Sequence, residues 1–163
     1  TIHQLYPKVF RVCGYVSPTY AEDFGVKLVD CPEDIYEEAD IISNHMSLTE
    51  GNHDFFNMDA FRRMKRHPYF LNAGRGASVV EEDLKQALDE GMIKGAALDT
   101  IRDERPEHIT RNPLLGRDDV IITPHTAFYS TSSVEDLERM SAKNIVHYLN
   151  GDLDKVFKLV TKW

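Results

Sequence analysis

The chain has 163 residues, 42% hydrophobic and 28% charged, with a net charge of −8 at pH 7, which suits one globular domain with a single core. The excess of acidic residues, with one short basic run at residues 62–66, predicts no nucleic-acid partner. No apolar stretch approaches the length of about 20 residues that a helix needs to span a bilayer. Cys13 and Cys31 lie far apart without a CxxC pattern, which favours a reduced, cytoplasmic protein with no zinc site.

The first part of the chain predicts short strands alternating with helices. Pro32 and the two acidic residues after it are typical of a helix start, and Asn57 is a candidate N-cap. Apolar runs of four to seven residues indicate the strands. In chain order we expect strands at residues 10–16, 26–29 and 40–44, and helices at residues 32–39 and 57–64.

Residues 69–100 form the clearest unit of the sequence. An apolar run at residues 69–71 predicts a buried strand, and a loop with two glycines follows it. An amphipathic helix comes next, with its apolar face formed by Leu84, Ala87 and Leu88. Gly91 lies where a left-handed C-cap would end that helix, and residues 95–98 predict a second strand. A strand, helix and strand in this order indicate parallel pairing.

The last third predicts one more strand and one long helix. Residues 100–111 are polar and contain proline, so we expect no regular element there, and residues 112–115 predict a single turn. A strand follows at residues 120–122. Ser132 or Ser133 is expected to cap a helix that reaches Leu149 and buries a stripe of apolar side chains, namely Val134, Leu137, Ile145 and Tyr148. The whole pattern predicts an α/β fold with a doubly wound, mostly parallel sheet in a single domain, residues 1–163.

Polar side chains follow the predicted strands, where parallel α/β sheets bind their ligands. They are His45, Arg75, Asp99 and His125, with Glu104 in the loop after Asp99. His125 is a candidate general acid or base, because imidazole titrates near neutrality, and Glu104 could orient it. Arg75 could clamp a carboxylate in bidentate fashion, with its two flanking glycines letting the backbone approach a ligand.

Four of these five residues also have a purely structural interpretation. His45 and His125 could be hydrogen-bonded strand-end histidines, and Glu104 could be a solvated carboxylate in a charged loop. Asp99 could accept a hydrogen bond from an amide or simply cap the turn after its strand. Gly74 and Gly76 resemble the start of GxGxxG, but Val79 stands at the third glycine position and no complete motif occurs in the chain.

Several motifs in this order resemble the nucleotide-binding domain of the D-isomer-specific 2-hydroxyacid dehydrogenases, especially the branch of D-lactate and D-hydroxyisocaproate dehydrogenases. They are NAGRG, VEEDLKQALDEGMIKGAALDT, DERP and NPLL…VIITPHTAFYS, and they cover roughly residues 15–151 with an earlier ISNHMSLT segment. The resemblance implies a Rossmann-like fold and NAD-dependent interconversion of a 2-oxo acid and a D-2-hydroxy acid. It implies that Arg75 binds the substrate, that His125 protonates the carbonyl oxygen and that Glu104 pairs with His125.

The resemblance also implies a cofactor cleft, lined by His45, Thr49, Asn72, Ala73, Gly74 and Asp99, the last of which would hold the nicotinamide carboxamide. The family's phosphate-binding motif is absent, and Val16 stands where an acid usually binds the adenine ribose, which leaves NAD and NADP both open. We therefore expect the C-terminal part of a longer, homodimeric enzyme that lacks most of its substrate domain and is inactive alone. The alternative is a non-enzymatic cofactor-sensing or protein-binding module, similar to corepressors of this fold, or an inactive fragment.

Overall fold

A computed structural model of the chain describes the backbone of residues 9–11 and residues 22–23 and 25–157 in full. The chain divides into two compact units, Thr1–His125 and Thr126–Trp163. The strands described are β1 (Val9–Arg11), β2 (Val26–Leu28), β3 (Ile41–Asn44), β4 (Tyr69–Asn72), β5 (Gly95–Leu98) and β6 (Val120–Ile122). The helices are α1 (Glu33–Glu38), α2 (Met58–Arg63), α3 (Glu81–Asp89) and α4 (Pro106–Ile109), with α5 (Thr131–Leu149) in the second unit.

Every strand pair described is parallel. Strands β3, β4, β5 and β6 form one sheet in that order, and β1 pairs with β2 in a separate sheet. The registers place Asn44 opposite Asn72, Asn72 opposite Leu98 and Leu98 opposite Ile122. The four strands of the larger sheet therefore end level with one another, and the loops that follow them begin at one rim. The parallel α/β class predicted from the sequence is confirmed.

The core of the larger unit lies between this sheet and helices α2 and α3. Phe70 of β4 is fully buried and meets Phe56 and Phe61 edge to face, with ring centroids 4.8 and 5.6 Å apart. The predicted apolar face of α3 is buried as expected, at Leu84, Ala87 and Leu88. This packing fixes the strand ends from which the polar loops start.

The ends of α2 and α3 follow the signals read from the sequence. The Asn57 side chain accepts hydrogen bonds from the amides of Asp59 and Ala60, as an N-cap does. The Asp83 carboxylate of α3 accepts from the Met58 amide at 2.7 Å and so joins the two helices. Gly91 follows the end of α3 with φ +70°, a conformation that side chains rarely adopt.

Three expectations were wrong or only partly tested. Residues 106–109, expected to be irregular, form α4, because Pro106 at a first helical position loses no hydrogen bond there. Ser130, not Ser132 or Ser133, caps α5, and its hydroxyl accepts from the Ser133 amide. The strand expected at residues 10–16 is described only at β1, and the rest of it lies outside the described residues.

The apolar stripe expected to be buried on α5 is exposed. Leu137, Ile145 and Tyr148 are 60%, 61% and 53% exposed, and no residue of α5 is buried. Within the described part of its own unit, α5 is accompanied only by the short turn Leu153–Lys155. Residues 126–157, the described part of that unit, contain no second layer on which the stripe could pack.

Candidate active site

The predicted polar residues of the larger unit follow β3, β4, β5 and β6, where the four strands end level. Backbone bonds continue the sheet just past these ends. The Asp99 amide donates to the Asn72 carbonyl at 2.9 Å, and the Thr123 amide donates to the Leu98 carbonyl at 2.9 Å. His45, the Arg75 loop, Asp99 and the turn that carries His125 thus start from one rim of the sheet.

His125 and Glu104 contact each other at this rim. Nδ1 of His125 lies 3.0 Å from Oε2 of Glu104, and the side chains are 42% and 45% exposed. A carboxylate at Nδ1 favours the tautomer that carries its proton there. It also leaves Nε2, which has no protein partner among the described residues, as the nitrogen that can exchange a proton with a ligand.

The backbone of His125 adopts an uncommon conformation. Its φ is +55°, and its amide donates to the Thr123 carbonyl at 2.9 Å in a tight turn after β6. A side-chain-bearing residue in the left-handed region is energetically disfavoured and is often found at functional sites. The turn directs the chain so that a residue three positions after β6 meets Glu104.

Two contacts anchor the loop that carries Glu104 to the first residue of α3. Oε1 of Glu81 accepts from the Arg102 amide at 2.6 Å, and Oε2 accepts from Nδ2 of Asn112 at 3.0 Å. The Arg102 guanidinium donates to the Val79 carbonyl and pairs with Asp54. Because of the hydrogen bond from Arg102, the pKa of the Asp54 carboxyl is lowered.

The charged neighbours of Glu104 pair with one another. Asp103 accepts from Nε of Arg105 at 2.8 Å, and its other oxygen lies 2.6 Å from Nδ1 of His108. The Arg105 hydrogen bond, with that of His108, holds the pKa of Asp103 well below its usual range. These neighbours leave the Glu104 carboxylate in contact with His125.

Arg75 is exposed in the loop after β4, and its Nη1 donates to the Gly74 carbonyl at 2.8 Å. The glycines beside it were expected to admit a ligand, but Gly76 instead packs against protein. A Cβ on Gly76 would lie 1.9 Å from the Ile101 carbonyl oxygen. The glycine thus lets the Arg75 loop lie against the loop after β5.

Other predicted residues have specific partners. Thr123, which the sequence analysis did not assign, donates its hydroxyl proton to Oδ1 of Asp99 at 2.6 Å. Nε2 of the exposed His45 lies 2.8 Å from the Ser43 hydroxyl. Thr49 begins the short turn Glu50–Asn52 with a reciprocal cap, in which its side chain and that of Asn52 accept from each other's amides.

Asn72 and Ala73 lie at the end of β4 and directly after it. Ala73 is partly buried, and its amide donates to the Asn44 carbonyl at 3.0 Å. Asn72 is only 1% exposed, and its side chain belongs to a buried network with Asn44 and Ser78. Neither Asn44 nor Ser78 was predicted as a site residue from the sequence. The one available signal is that Asn44, like Asn72, is an amide at the end of a predicted strand.

Two negative findings hold for the part of the chain that the structure describes. No group of three or more His, Cys, Asp or Glu side chains there could hold a metal ion. No helix there combines the length and the apolar composition needed to cross a membrane.

Comparison with curated proteins finds D-lactate dehydrogenases. The chain is 38% identical to that of Lactiplantibacillus plantarum, over 69% of this chain and 37% of the relative. It is 36% identical to that of Streptococcus agalactiae serotype V, over 78% of this chain and 42% of the relative. The chain thus spans less than half the length of these relatives.

Comparison with solved structures agrees. D-lactate dehydrogenase from Lactobacillus jensenii with NAD⁺ matches with a TM-score of 0.81 and 25% identity, over 95% of this chain and 48% of that one. D-lactate dehydrogenase from Aquifex aeolicus, complexed with NAD and lactic acid, matches with a TM-score of 0.78 and 27% identity, over 91% and 48%. These neighbours support the predicted Rossmann-like α/β fold.

The sequence model of one family matches most of the chain. Residues 6–127 match the family described as D-isomer specific 2-hydroxyacid dehydrogenase, NAD binding domain. The resemblance inferred from the sequence motifs is confirmed, and the chain belongs to the D-isomer specific 2-hydroxyacid dehydrogenase family through its NAD binding domain.

Proposed function

We propose that residues 1–163 act as the dinucleotide-binding part of an NAD-dependent oxidoreductase that interconverts a 2-oxo acid and a D-2-hydroxy acid. The observation that carries this proposal is the contact of 3.0 Å between Nδ1 of His125 and Oε2 of Glu104 at the rim where the strands end. A histidine paired with a carboxylate is suited to move a proton to and from a substrate oxygen.

The rim has a polar group suited to the nicotinamide end of NAD. The Asp99 carboxylate stands at the end of β5, held by the Thr123 hydroxyl, and a carboxylate can accept hydrogen bonds from a carboxamide. We propose that the cleft is lined by the segments that carry His45, Thr49, Asn72, Ala73, Gly74 and Asp99, with the side chain of Asn72 buried behind this lining. When bound, NAD accepts or supplies the hydride.

The substrate acid would be held by Arg75. Its guanidinium can form two parallel hydrogen bonds to a carboxylate, in exchange for the bond that it donates to the Gly74 carbonyl. His125 would donate the proton on Nε2 to the 2-oxo oxygen as negative charge develops there. In the reverse direction the same nitrogen would accept the hydroxyl proton, and Glu104 would stabilise the ring that has become charged.

The function is tested by turnover of a panel of 2-oxo acids with NADH in the full-length protein, together with an NADH fluorescence titration. We expect Arg75→Ala to raise the KM for the 2-oxo acid by about 10²-fold, because a bidentate ion pair is lost. The control is Arg63→Ala, which removes an exposed ion pair with Glu33. NADH binding without turnover of any 2-oxo acid would overturn the proposal and favour a cofactor-sensing module.

We further propose that the 163 residues alone do not turn over a 2-oxo acid. They span 37% and 42% of the length of two D-lactate dehydrogenase relatives, so much of a substrate cleft would come from elsewhere. NADH oxidation by the isolated chain that depends on a 2-oxo acid would refute this.

We also propose a cytoplasmic, homodimeric protein. Cys31, the cysteine within the described residues, is free, which suits a reducing compartment. The homodimer is what the family resemblance implies. Cell fractionation and sedimentation equilibrium of the full-length protein test the two statements, and a monomer or an exported protein would contradict them.

A further inference from the structure

The side chain of Asn72 is buried at the end of β4 with all its hydrogen-bonding capacity used. Oδ1 accepts from Nδ2 of Asn44 at 2.8 Å and from the Gly74 amide at 3.2 Å. Nδ2 donates to the carbonyls of Arg75 and Thr100, both at 3.3 Å. A carboxamide has two donor hydrogens and two acceptor lone pairs, so this amide is satisfied entirely by protein.

The carbonyl of Arg75 is the point on which this network converges. Besides the Asn72 amide, the Ser78 hydroxyl donates to it at 2.7 Å and the Ser78 amide donates at 3.1 Å. The Ser78 oxygen in turn accepts from Nδ2 of Asn44 at 2.8 Å. Asn44 and Ser78 are 3% and 1% exposed, and hydrogen bonds so shielded from water hold groups firmly.

The same amide joins two loops of the proposed site. One donor of Asn72 holds the Arg75 carbonyl, and the other holds the carbonyl of Thr100, the residue after Asp99. On the opposite side, Oδ1 of Asn44 accepts from the Met46 amide at 3.0 Å, in the loop after β3. Three neighbouring strand ends are thereby tied together below the exposed rim.

We propose that Asn72 is a positioning residue, whose buried amide sets the spacing between the Arg75 loop and the Asp99 loop. The expected effect on catalysis rests on the proposed function, whereas the hydrogen bonds that join the two loops do not depend on it. An isosteric carboxylate would lose both donors and face two carbonyl oxygens, so Asn72→Asp would loosen the Arg75 loop without changing side-chain volume.

The activity test compares Asn72→Asp with Asn57→Asp, a matched change at an N-cap. An aspartate there still accepts from the Asp59 and Ala60 amides and loses only the bond that Asn57 donates to the Asp54 carbonyl at 3.1 Å. In the full-length protein we expect Asn72→Asp to lower kcat/KM for the 2-oxo acid by about 10²-fold and Asn57→Asp to leave it unchanged. The variant's activity relative to wild type should rise as pH falls, because a protonated carboxyl regains one donor. In an Arg75→Ala background Asn72→Asp should cause little further loss of kcat/KM.

Digestion of the same proteins with trypsin tests whether these hydrogen bonds restrain the Arg75 loop. The Arg75 carbonyl that the network holds belongs to the peptide bond that trypsin cleaves. We expect Asn72→Asp to speed cleavage after Arg75 at least about tenfold, with cleavage after Lys94, in the exposed turn before β5, unchanged. The positioning role would be overturned if Asn72→Asp sped cleavage equally after Arg75 and after Lys94. It would also be overturned if the losses of kcat/KM from Asn72→Asp and Arg75→Ala were fully additive. Faster cleavage after Arg75 in a protein that turns over no 2-oxo acid would support the restraint of the Arg75 loop by Asn72 and refute only the proposed function.

Discussion

Two histidine–carboxylate pairs lie side by side in this protein, and we propose that they have different roles. Nδ1 of His125 is 3.0 Å from Glu104, and Nδ1 of His108 is 2.6 Å from Asp103. The two carboxylates are adjacent in sequence, and both pairs are partly exposed. Their ring atoms and partner chemistry are the same, so the difference must come from what else each carboxylate contacts.

The Asp103 carboxylate has two partner residues, whereas the Glu104 carboxylate has one among the described residues. Asp103 also accepts from the Arg105 guanidinium and amide, and the pKa of its carboxyl is held far below the usual range. Among the described residues Glu104 makes no hydrogen bond or ion pair other than that with His125. The Asp103 carboxylate thus divides its hydrogen bonds between Arg105 and His108, whereas the Glu104 carboxylate contacts only His125 among the described residues.

The largest expected effect separates the two histidines. His125→Asn should lower kcat for the 2-oxo acid by about 10³-fold, because the group that moves the proton is lost. His108→Asn should leave kcat unchanged, because that ring closes a contact within residues 103–108. Steady-state kinetics of the full-length protein measure both, and comparable losses in the two variants would refute the assignment of different roles.

The next effect separates the two carboxylates. Glu104→Gln should lower kcat about 30-fold, the equivalent of about 2 kcal/mol for a charge-assisted hydrogen bond. Asp103→Asn should change kcat less than about threefold, since Asp103 contacts Arg105 and His108 and not His125. The pH profile of kcat should change shape only in the Glu104 variant. A larger loss in Asp103→Asn would contradict the comparison.

Local sequence patterns predicted much of this architecture. The apolar spacing of Leu84, Ala87 and Leu88 identified α3, and Asn57 marked the start of α2, because these signals act within one or two helical turns. Polar residues directly after apolar runs identified the rim, since parallel strands end together. Pro106 could have identified α4 by the same kind of local rule.

The contacts that hold the site could not be predicted in this way. Asn44 meets Asn72 and Ser78 across 28 and 34 residues, and Glu81 meets Arg102 across 21. These pairings depend on the register of the strands and on where each loop folds back. The prediction that the α5 stripe is buried is wrong for a related reason. An amphipathic pattern predicts burial but does not show that a partner layer is present.

A smaller effect is expected where the Glu104 loop is anchored. Glu81 accepts two hydrogen bonds with its two oxygens, from Arg102 and Asn112. A glutamine there offers one oxygen and presents an NH₂ group to a donor. Glu81→Gln should therefore lower kcat about fivefold, equivalent to about 1 kcal/mol. Glu82→Gln, at the exposed neighbouring position, is the control. Equal kinetics for the two variants would show that the anchor does not matter for the pair.

The smallest expected effect is on stability at acid pH and comes from Asp103. Its folded-state pKa is lowered, chiefly by Arg105, so ionised Asp103 stabilises the folded chain above its ordinary value near 3.8. As pH falls from there towards the depressed folded value, the unfolded state takes up a proton first and the stabilisation fades. The urea midpoints of wild type and Asp103→Asn should differ by less than about 0.5 M at pH 7 and converge below pH 3.8. Because the pair is exposed, about 0.5 M salt should also shrink the difference. A difference that grows on acidification would mean that Arg105 does not stabilise the ionised Asp103 carboxylate, and the contrast with Glu104 would fail.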